Sequence, residues 1–499
     1  MALEHESFGD TITLATGFFL LIAIGLALSF EFVNGFHDTA NAVATVIYTQ
    51  SLKANSAVVW SGCWNLLGVL TSSGAVAFSV TTLLPVELVL NVGSAAGFAM
   101  VFALLISAII WNLSTWYLGL PASSSHTLVG AILGVGLANS LLAKGTVFGE
   151  GVKWVEAGEV GTSLLVSPII GFCCAGLLLL LAKAFVRKPE LFRPPKPNTP
   201  PPPGIRSLLI LTCTGVSFAH GSNDGQKGMG LMMLILVGIL PGTYAFNLQT
   251  PASEIAELAQ LSRQTAAALE PGATARPALR DGGARELSDF LKASGVADDR
   301  TLAALAAVNR RIAGQFAGKS TLASLSHDDR RALRSDLHLV SESIAKLDKS
   351  GLPLDPAARG VLATYRKKID RLTRFIPSWV KVTIALVLGL GTMIGWKRIV
   401  VTVGERIGKE HLSYAQGASA EFVAMATIGV ADLFGLPVST THVLSSGVAG
   451  TMAANNSGLQ INTLRNLALA WVLTLPVCVF LGAAVFALGL NIVLALGLK

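Results

Sequence analysis

GLPASSSH at residues 119–126 returns as GLPVSTTH at residues 435–442. Five of the eight positions are identical, and the other three exchange Ala122 for Val438, Ser124 for Thr440 and Ser125 for Thr441. Each copy sets a proline, Pro121 or Pro437, ahead of three hydroxyl side chains: Ser123, Ser124 and Ser125, or Ser439, Thr440 and Thr441. Proline suits the first turn of a helix. Free N–H groups and hydroxyls at the positive end of a helix dipole make an anion site. The plainer alternative is N-capping by Ser or Thr with no ligand.

A second pair of motifs lies upstream of the first. GFHDTANA at 35–42 and GSNDGQKG at 221–228 share only Gly and Asp, which is weak by itself. Spacing strengthens it. Asp38 to His126 is 88 residues, and Asp224 to His442 is 84 once the polar stretch 243–376 is set aside. A duplicated interval of this length implies two homologous halves.

Composition fixes the medium. Of 499 residues, 52% are hydrophobic and only 13% charged, with 50 Gly and a mean hydropathy of +0.61. That excludes disordered, disulfide-rich and ordinary soluble classes. The net charge of +7 suggests loops facing anionic lipid rather than a nucleic-acid binder. Ten apolar runs, near 11–48, 54–80, 94–118, 121–142, 160–185, 205–242, 377–396, 413–433, 437–455 and 463–496, are each long enough for a crossing. Runs 11–48 and 205–242 exceed one straight span and carry polar clusters mid-run, so each is expected to be a broken helix. Cys63, Cys173, Cys174, Cys213 and Cys478 lie in apolar runs without Cys-x-x-Cys spacing and read as buried, inert thiols.

The expected fold is an all-α polytopic membrane protein of about ten crossings, in two inverted-topology repeats with broken helices. Residues 1–186 form the first membrane repeat and 187–204 a Pro-rich cytoplasmic linker. The second repeat starts at 205–242, is interrupted by a helical extramembrane insert at 243–376, and resumes over 377–499. The insert holds 35 of the 67 charged residues. In it Leu333, Leu337, Val340, Ile344 and Leu347 recur as an apolar helical stripe, and Asp355-Pro356 reads as an N-cap and first-turn proline. Basic loops at 187–206 and 397–411 fall on one side, assigned to the cytoplasm, which puts both termini and the insert outside.

Five crossings per half turn the two copies opposite ways, the pattern of secondary transporters with a site at the midplane. Ionisable residues within spans are costly and usually have a task. Asp38, with Asn41 one helical turn on, and Asp224 offer hard oxygens for Na⁺ or a proton. An anion at the hydroxyl tips and a carboxylate beside it coexist only with a cation or proton between them, which is a physical basis for symport. His37 adjoins Asp38 as a proton-sensitive neighbour. His126 and His442 read as helix-bonding residues ahead of proton relays. Glu31, Glu421 and Asp432 read equally as functional or as packed against polar partners, and Lys227 as pairing with Asp224 or reaching toward the interface. No Gly-x-Ser-x-Gly elbow, Walker loop or His-Glu-x-x-His is present, so no enzyme is expected.

NGFHDTANAVATVIYT (34–49), GLPASSSHTLVGAI (119–132), HGSNDGQKGMG (220–230) and GLPVSTTHVLSS (435–446) together resemble the inorganic phosphate transporter (PiT) family, most of all its bacterial low-affinity Pit-type members. The resemblance implies an inverted-repeat fold in a bacterial inner membrane. It assigns phosphate and cation contacts to Asp38, Asn41, Asn223, Asp224, Gln226 and the Ser/Thr runs Ser123–Ser125 and Ser439–Thr441. His37, Asp38 and Asp224 would carry coupling. Many members read Gly-Ala-Asn-Asp-Val-Ala-Asn in both Asp motifs. Here His37 replaces the first Asn, and Gln226-Lys227 replaces the last Ala-Asn of the second copy. These departures argue against a Na⁺ site and are similar to the proton-coupled branch, for which a metal-phosphate complex is the implied cargo. Proton symport of inorganic phosphate is the expected function, with a Na⁺-coupled phosphate or sulfate symporter as the alternative. No cofactor is expected beyond the coupling H⁺, or Na⁺ as second choice, with divalent metal as companion cargo. The expected partners are phosphate and membrane lipid, with a homodimer allowed and no nucleic acid.

Overall fold

The computed structural model describes residues 4–7, 10–38, 40–81, 83–84, 92, 94–142, 148–149, 152–196, 199–269, 279–292, 295–350 and 355–495. An antiparallel hairpin, β1 (Glu4–Ser7) and β2 (Asp10–Thr13), precedes an otherwise helical chain. The first half comprises α1 (Leu14–Asp38), α2 (Ala40–Tyr48), α3 (Ala54–Thr71), α4 (Ala75–Thr81), α5 (Ala95–Tyr117), α6 (Ser124–Leu142) and α7 (Trp154–Phe185). After the linker runs α8 (Pro203–Ile239). Five helices follow in the insert: α9 (Ala252–Leu269), α10 (Ala284–Leu291), α11 (Asp299–Phe316), α12 (His327–Lys349) and α13 (Pro356–Thr373). The second half closes with α14 (Ser378–Met393), α15 (Tyr414–Leu433), α16 (Thr440–Asn455) and α17 (Ile461–Ala495).

Among the described residues, Thr16–Tyr48, Ala96–Tyr117, Ser124–Leu142, Ala157–Phe185 and Ile461–Ala495 are each long and apolar enough to cross a membrane. Their outward faces are apolar, as lipid demands: Phe18, Leu21, Leu165, Phe185, Val472 and Phe480 are all exposed. Two expectations need correction. The run 205–242 is not broken, because α8 is helical throughout, with Asp224 and Lys227 accommodated by side-chain partners rather than by an interruption. In the run 11–48, α1 reaches Asp38 and α2 takes up at Ala40, so the expected break falls at Thr39, outside the described residues. Nor are all the thiols buried. Cys213 and Cys478 are, but Cys63, Cys173 and Cys174 are exposed on the outer faces of α3 and α7.

Packing between the halves is reciprocal. α6 packs on α17 and α16 on α7; α3 packs on α8 and α14 on α1; α5 packs on α1 and α15 on α8. Exchanging the halves maps each contact onto its counterpart. Matching glycines set the closest approaches. A Cβ on Gly35 would lie 2.5 Å from the Leu388 carbonyl oxygen of α14, and one on Gly221 would lie 2.1 Å from the Asn65 carbonyl oxygen of α3. Only glycine lets backbones come this near, as in other membrane helix pairs.

The insert has its own core, built on Ile255, Leu305, Val308, Tyr365 and the stripe Leu333, Leu337, Val340, Ile344 and Leu347 of α12. Asp355 caps α13 through the Ala357 N–H, with Pro356 at the first helical position. The insert sits over one end of the helical body. Lys153 Nζ lies 2.9 Å from Glu342 Oε2, Lys349 Nζ 3.1 Å from Glu159 Oε1, and Arg330 Nη1 donates to the Gly242 carbonyl at 2.9 Å. At the other end Arg206 Nε donates to the Ser51 carbonyl (2.8 Å), Asn455 Nδ2 to the Phe192 carbonyl (3.1 Å), and the Lys409 N–H to the Gly458 carbonyl (3.1 Å). The two basic loops thus share the end away from the insert.

Candidate functional site

The duplicated motifs build the two helix starts alike. Gly119 and Gly435 have φ of +67° and +66°, a left-handed turn that L side chains avoid, which explains glycine at both positions. Ser123 Oγ accepts from the His126 N–H at 3.2 Å, and Ser439 Oγ accepts from the His442 N–H at 3.1 Å. These two residues are therefore N-caps of α6 and α16.

The next hydroxyls point inward. Ser124 Oγ donates to Asp38 Oδ2 at 3.0 Å and lies 3.5 Å from Asp224 Oδ2. Thr441 Oγ1 donates to Asp38 Oδ1. One buried carboxylate thus receives a hydroxyl from each half. Ser125 Oγ instead donates to the Val438 carbonyl at 2.8 Å, tying one tip to the other, and Thr440 is buried in the first turn of α16. The tips also meet through His126 and His442, whose ring centroids are 4.7 Å apart, with Trp471 stacked on His442 at 4.2 Å.

Around Asp38, His37 Nδ1 lies 3.4 Å from Oδ1 while its Nε2 is 3.0 Å from Thr115 Oγ1. Asp224 is flanked by Lys227, whose Nζ is 2.8 Å from Oδ1, a close ion contact whose alignment falls short of a hydrogen bond. His220 Nε2 is 3.4 Å from Asp224 Oδ2. One nitrogen of His220 and one oxygen each of Asp38 and Asp224 lie within 4.8 Å of one another, so these three buried side chains could hold a cation.

Other candidates are engaged elsewhere. Asn223 Nδ2 donates to the Leu436 carbonyl at 3.2 Å. Gln226 Nε2 donates to Asp432 Oδ1 at 2.6 Å and to the Ser222 carbonyl at 2.7 Å, while its Oε1 accepts from the Val76 N–H at 2.9 Å. Ser222 Oγ also donates to Asp432 at 2.6 Å. Glu421 accepts from Thr45 and Thr212, and Glu31 accepts from Asn34 Nδ2 at 3.4 Å. The side chain of Asn41 lies outside the described residues. His220 and its partner Asn65 were not singled out in the sequence. The signal for His220 was its place opposite Asn34 when the two Asp motifs are aligned.

A buried carboxylate held by two duplicated hydroxyl tips narrows the comparison to transporters with this pair of motifs. Residues 34–482 match the profile of the "Phosphate transporter family". The chain belongs to that family. Its members are transporters rather than enzymes. It is 40% identical over 502 residues to the "Low-affinity inorganic phosphate transporter PitB" of Escherichia coli, covering 96% of this chain and 98% of the relative. It is 28% identical to the "Probable low-affinity inorganic phosphate transporter" of Bacillus subtilis, covering 94% and 96%. Among solved structures it is similar to "The sodium-dependent phosphate transporter", with a TM-score of 0.51 at 19% identity over 94% of this chain and 98% of the other. That likeness concerns the fold alone.

Proposed function

We propose that this member of the phosphate transporter family imports inorganic phosphate by proton symport across a bacterial inner membrane. In this reading ten crossings form two oppositely oriented repeats, the basic loops are cytoplasmic, and the termini and insert lie outside. The observation that carries it is the convergence of Ser124 and Thr441, one from each repeat, on Asp38. Hydroxyls that donate to carboxylate oxygens are equally suited to phosphate oxygens. Phosphate arriving among Asp38 and Asp224 adds negative charge to a buried site where Lys227 supplies one positive charge. Charge balance then requires a proton or a cation with each phosphate. His37 beside Asp38 and Gln226-Lys227 after Asp224 support the proton, and a metal-phosphate complex satisfies the same balance.

The paired oxygens of Asp38 and Asp224 favour a second reading, Na⁺-coupled phosphate or sulfate symport. Uptake of labelled phosphate by proteoliposomes, with pH and Na⁺ gradients imposed separately, distinguishes the two. The pH gradient alone should drive accumulation and sulfate should compete weakly. Accumulation driven only by Na⁺ overturns proton coupling, and loss of labelled phosphate to equimolar sulfate overturns the substrate.

A further inference from the structure

We infer that a groove at the end of the helical body away from the insert, where Lys397, Arg398 and Arg406 meet Trp116 and Tyr117, binds the phosphate of an anionic phospholipid headgroup. This goes beyond the transport reading and does not depend on which ion accompanies the cargo. The groove encloses about 550 Å³ where α5 ends. One wall is residues 116–119, and the other is built by Gly395, Trp396 and the helical turns Lys397–Val401 and Thr402–Arg406. Lys397, Arg398 and Arg406 are all exposed, and among the described residues no carboxylate lines the groove. A concave surface carrying three like charges and no counter-charge attracts an anion.

Arg398 is pre-set for such a ligand. Its guanidinium stands 5.3 Å from the Trp116 ring centroid and 4.8 Å from that of Tyr117, and its Nη1 donates to the Tyr117 carbonyl at 2.8 Å. The planar fork is thereby fixed, and that bond leaves its other N–H donors for phosphate oxygens. The surroundings favour a lipid over free phosphate. Tyr117 and Leu118 are each 65% exposed at the end of the apolar crossing Ala96–Tyr117. Trp and Tyr settle at headgroup level, and basic pockets between membrane helices take headgroup phosphates. An inorganic anion gains nothing from this apolar rim, whereas a phospholipid covers it. The groove also touches the turn before the first hydroxyl tip. Thr402 Oγ1 donates to the Gly119 carbonyl at 2.7 Å, and Trp116 Nε1 donates to the Gly395 carbonyl at 2.7 Å. A headgroup held by Lys397, Arg398 and Arg406 therefore clamps the segment on which that turn rests.

The test uses full-length protein in detergent, with phosphatidylglycerol and phosphatidylcholine as probes. Native mass spectrometry of wild type should show phosphatidylglycerol retained in preference to phosphatidylcholine. Each basic residue contributes roughly 5-fold to such binding, so Lys397→Gln combined with Arg406→Gln should weaken retention about 25-fold. This pair leaves the packing of Arg398 in place, and the single Lys397→Gln, with its roughly 5-fold loss, serves if the double variant does not fold. Arg187→Gln combined with Lys188→Gln removes the same charge from exposed positions next to the linker and should leave retention unchanged. Equal losses in the two double variants, or equal retention of the two lipids by wild type, overturn the site. Displacement of phosphatidylglycerol by excess inorganic phosphate makes the groove a free-anion site and overturns the lipid assignment.

Discussion

Removing the two hydroxyls that meet on Asp38, singly and together, tests the site most directly. Ser124→Ala and Thr441→Val each delete one donor with little change of shape. A hydrogen bond to an ionised oxyanion contributes about 1.5–3 kcal/mol, which is roughly 10- to 150-fold in rate or affinity. Each single variant should therefore lower initial uptake at subsaturating phosphate by at least about 10-fold. Both hydroxyls share one acceptor, so the losses should not be independent. With both gone, Asp38 retains His37 at 3.4 Å, and the double variant should fall at least as far as the product of the singles. Ser125→Ala is the control, because Ser125 donates to the Val438 carbonyl instead. That neutral bond is worth about 0.5–1.5 kcal/mol, so its effect should stay below about 10-fold. The assay is labelled-phosphate uptake in proteoliposomes, with thermal unfolding in detergent to exclude misfolded protein. If Ser124→Ala and Thr441→Val are no worse than Ser125→Ala, or the double equals the worse single, the two tips do not share an anion.

Gly221→Ala should destabilise the protein by about 1–3 kcal/mol or abolish assembly, because its Cβ would meet the Asn65 carbonyl oxygen at 2.1 Å, whereas Gly25→Ala, with nothing within 4 Å, should be tolerated; unfolding in detergent reads both. Burial outweighs the attraction of Glu342 and holds the His338 imidazole down at about 4. Such a depressed group stabilises the folded state above about pH 6.5 and loses that contribution as pH falls toward 4, so acid should weaken insert docking across this window by about 1–3 kcal/mol, and His338→Gln should flatten the loss seen by limited proteolysis. Burial alone would raise Glu342, but Lys153, His338 and Arg374 hold it at about 2, so Glu342→Gln should expose the insert to protease even at neutral pH. A lipid-soluble maleimide should modify Cys63, Cys173 and Cys174 in the folded protein and spare Cys213 and Cys478 until unfolding, as mass spectrometry would show.

The hydroxyl tips were readable because a motif repeated almost letter for letter, but Pro121 and Pro437 stand two residues ahead of the caps Ser123 and Ser439 and not in the first helical turn, where the sequence reading put them. Ser123 and Ser439 proved to be caps while Ser124 and Thr441 face the carboxylate; the split follows helical phase, which a run of three hydroxyls does not reveal. The continuity of α8 was hidden for another reason. Its polar cluster packs against Asp432, Asn65 and Lys227, two of them more than a hundred residues away in sequence, and such partners appear only after packing. The insert was legible because a soluble helix announces its buried stripe, whereas a lipid-exposed helix is apolar all round. The exposed Cys63, Cys173 and Cys174 show the same ambiguity from the other side.

The uninterrupted α8 gives the second half one long strut. At 1.5 Å per residue its 37 residues form a spar about 55 Å long, well beyond a hydrocarbon layer of about 30 Å. A continuous rod of this length moves as one piece, so the spar carries Asp224 and His220 together through any rearrangement at the centre.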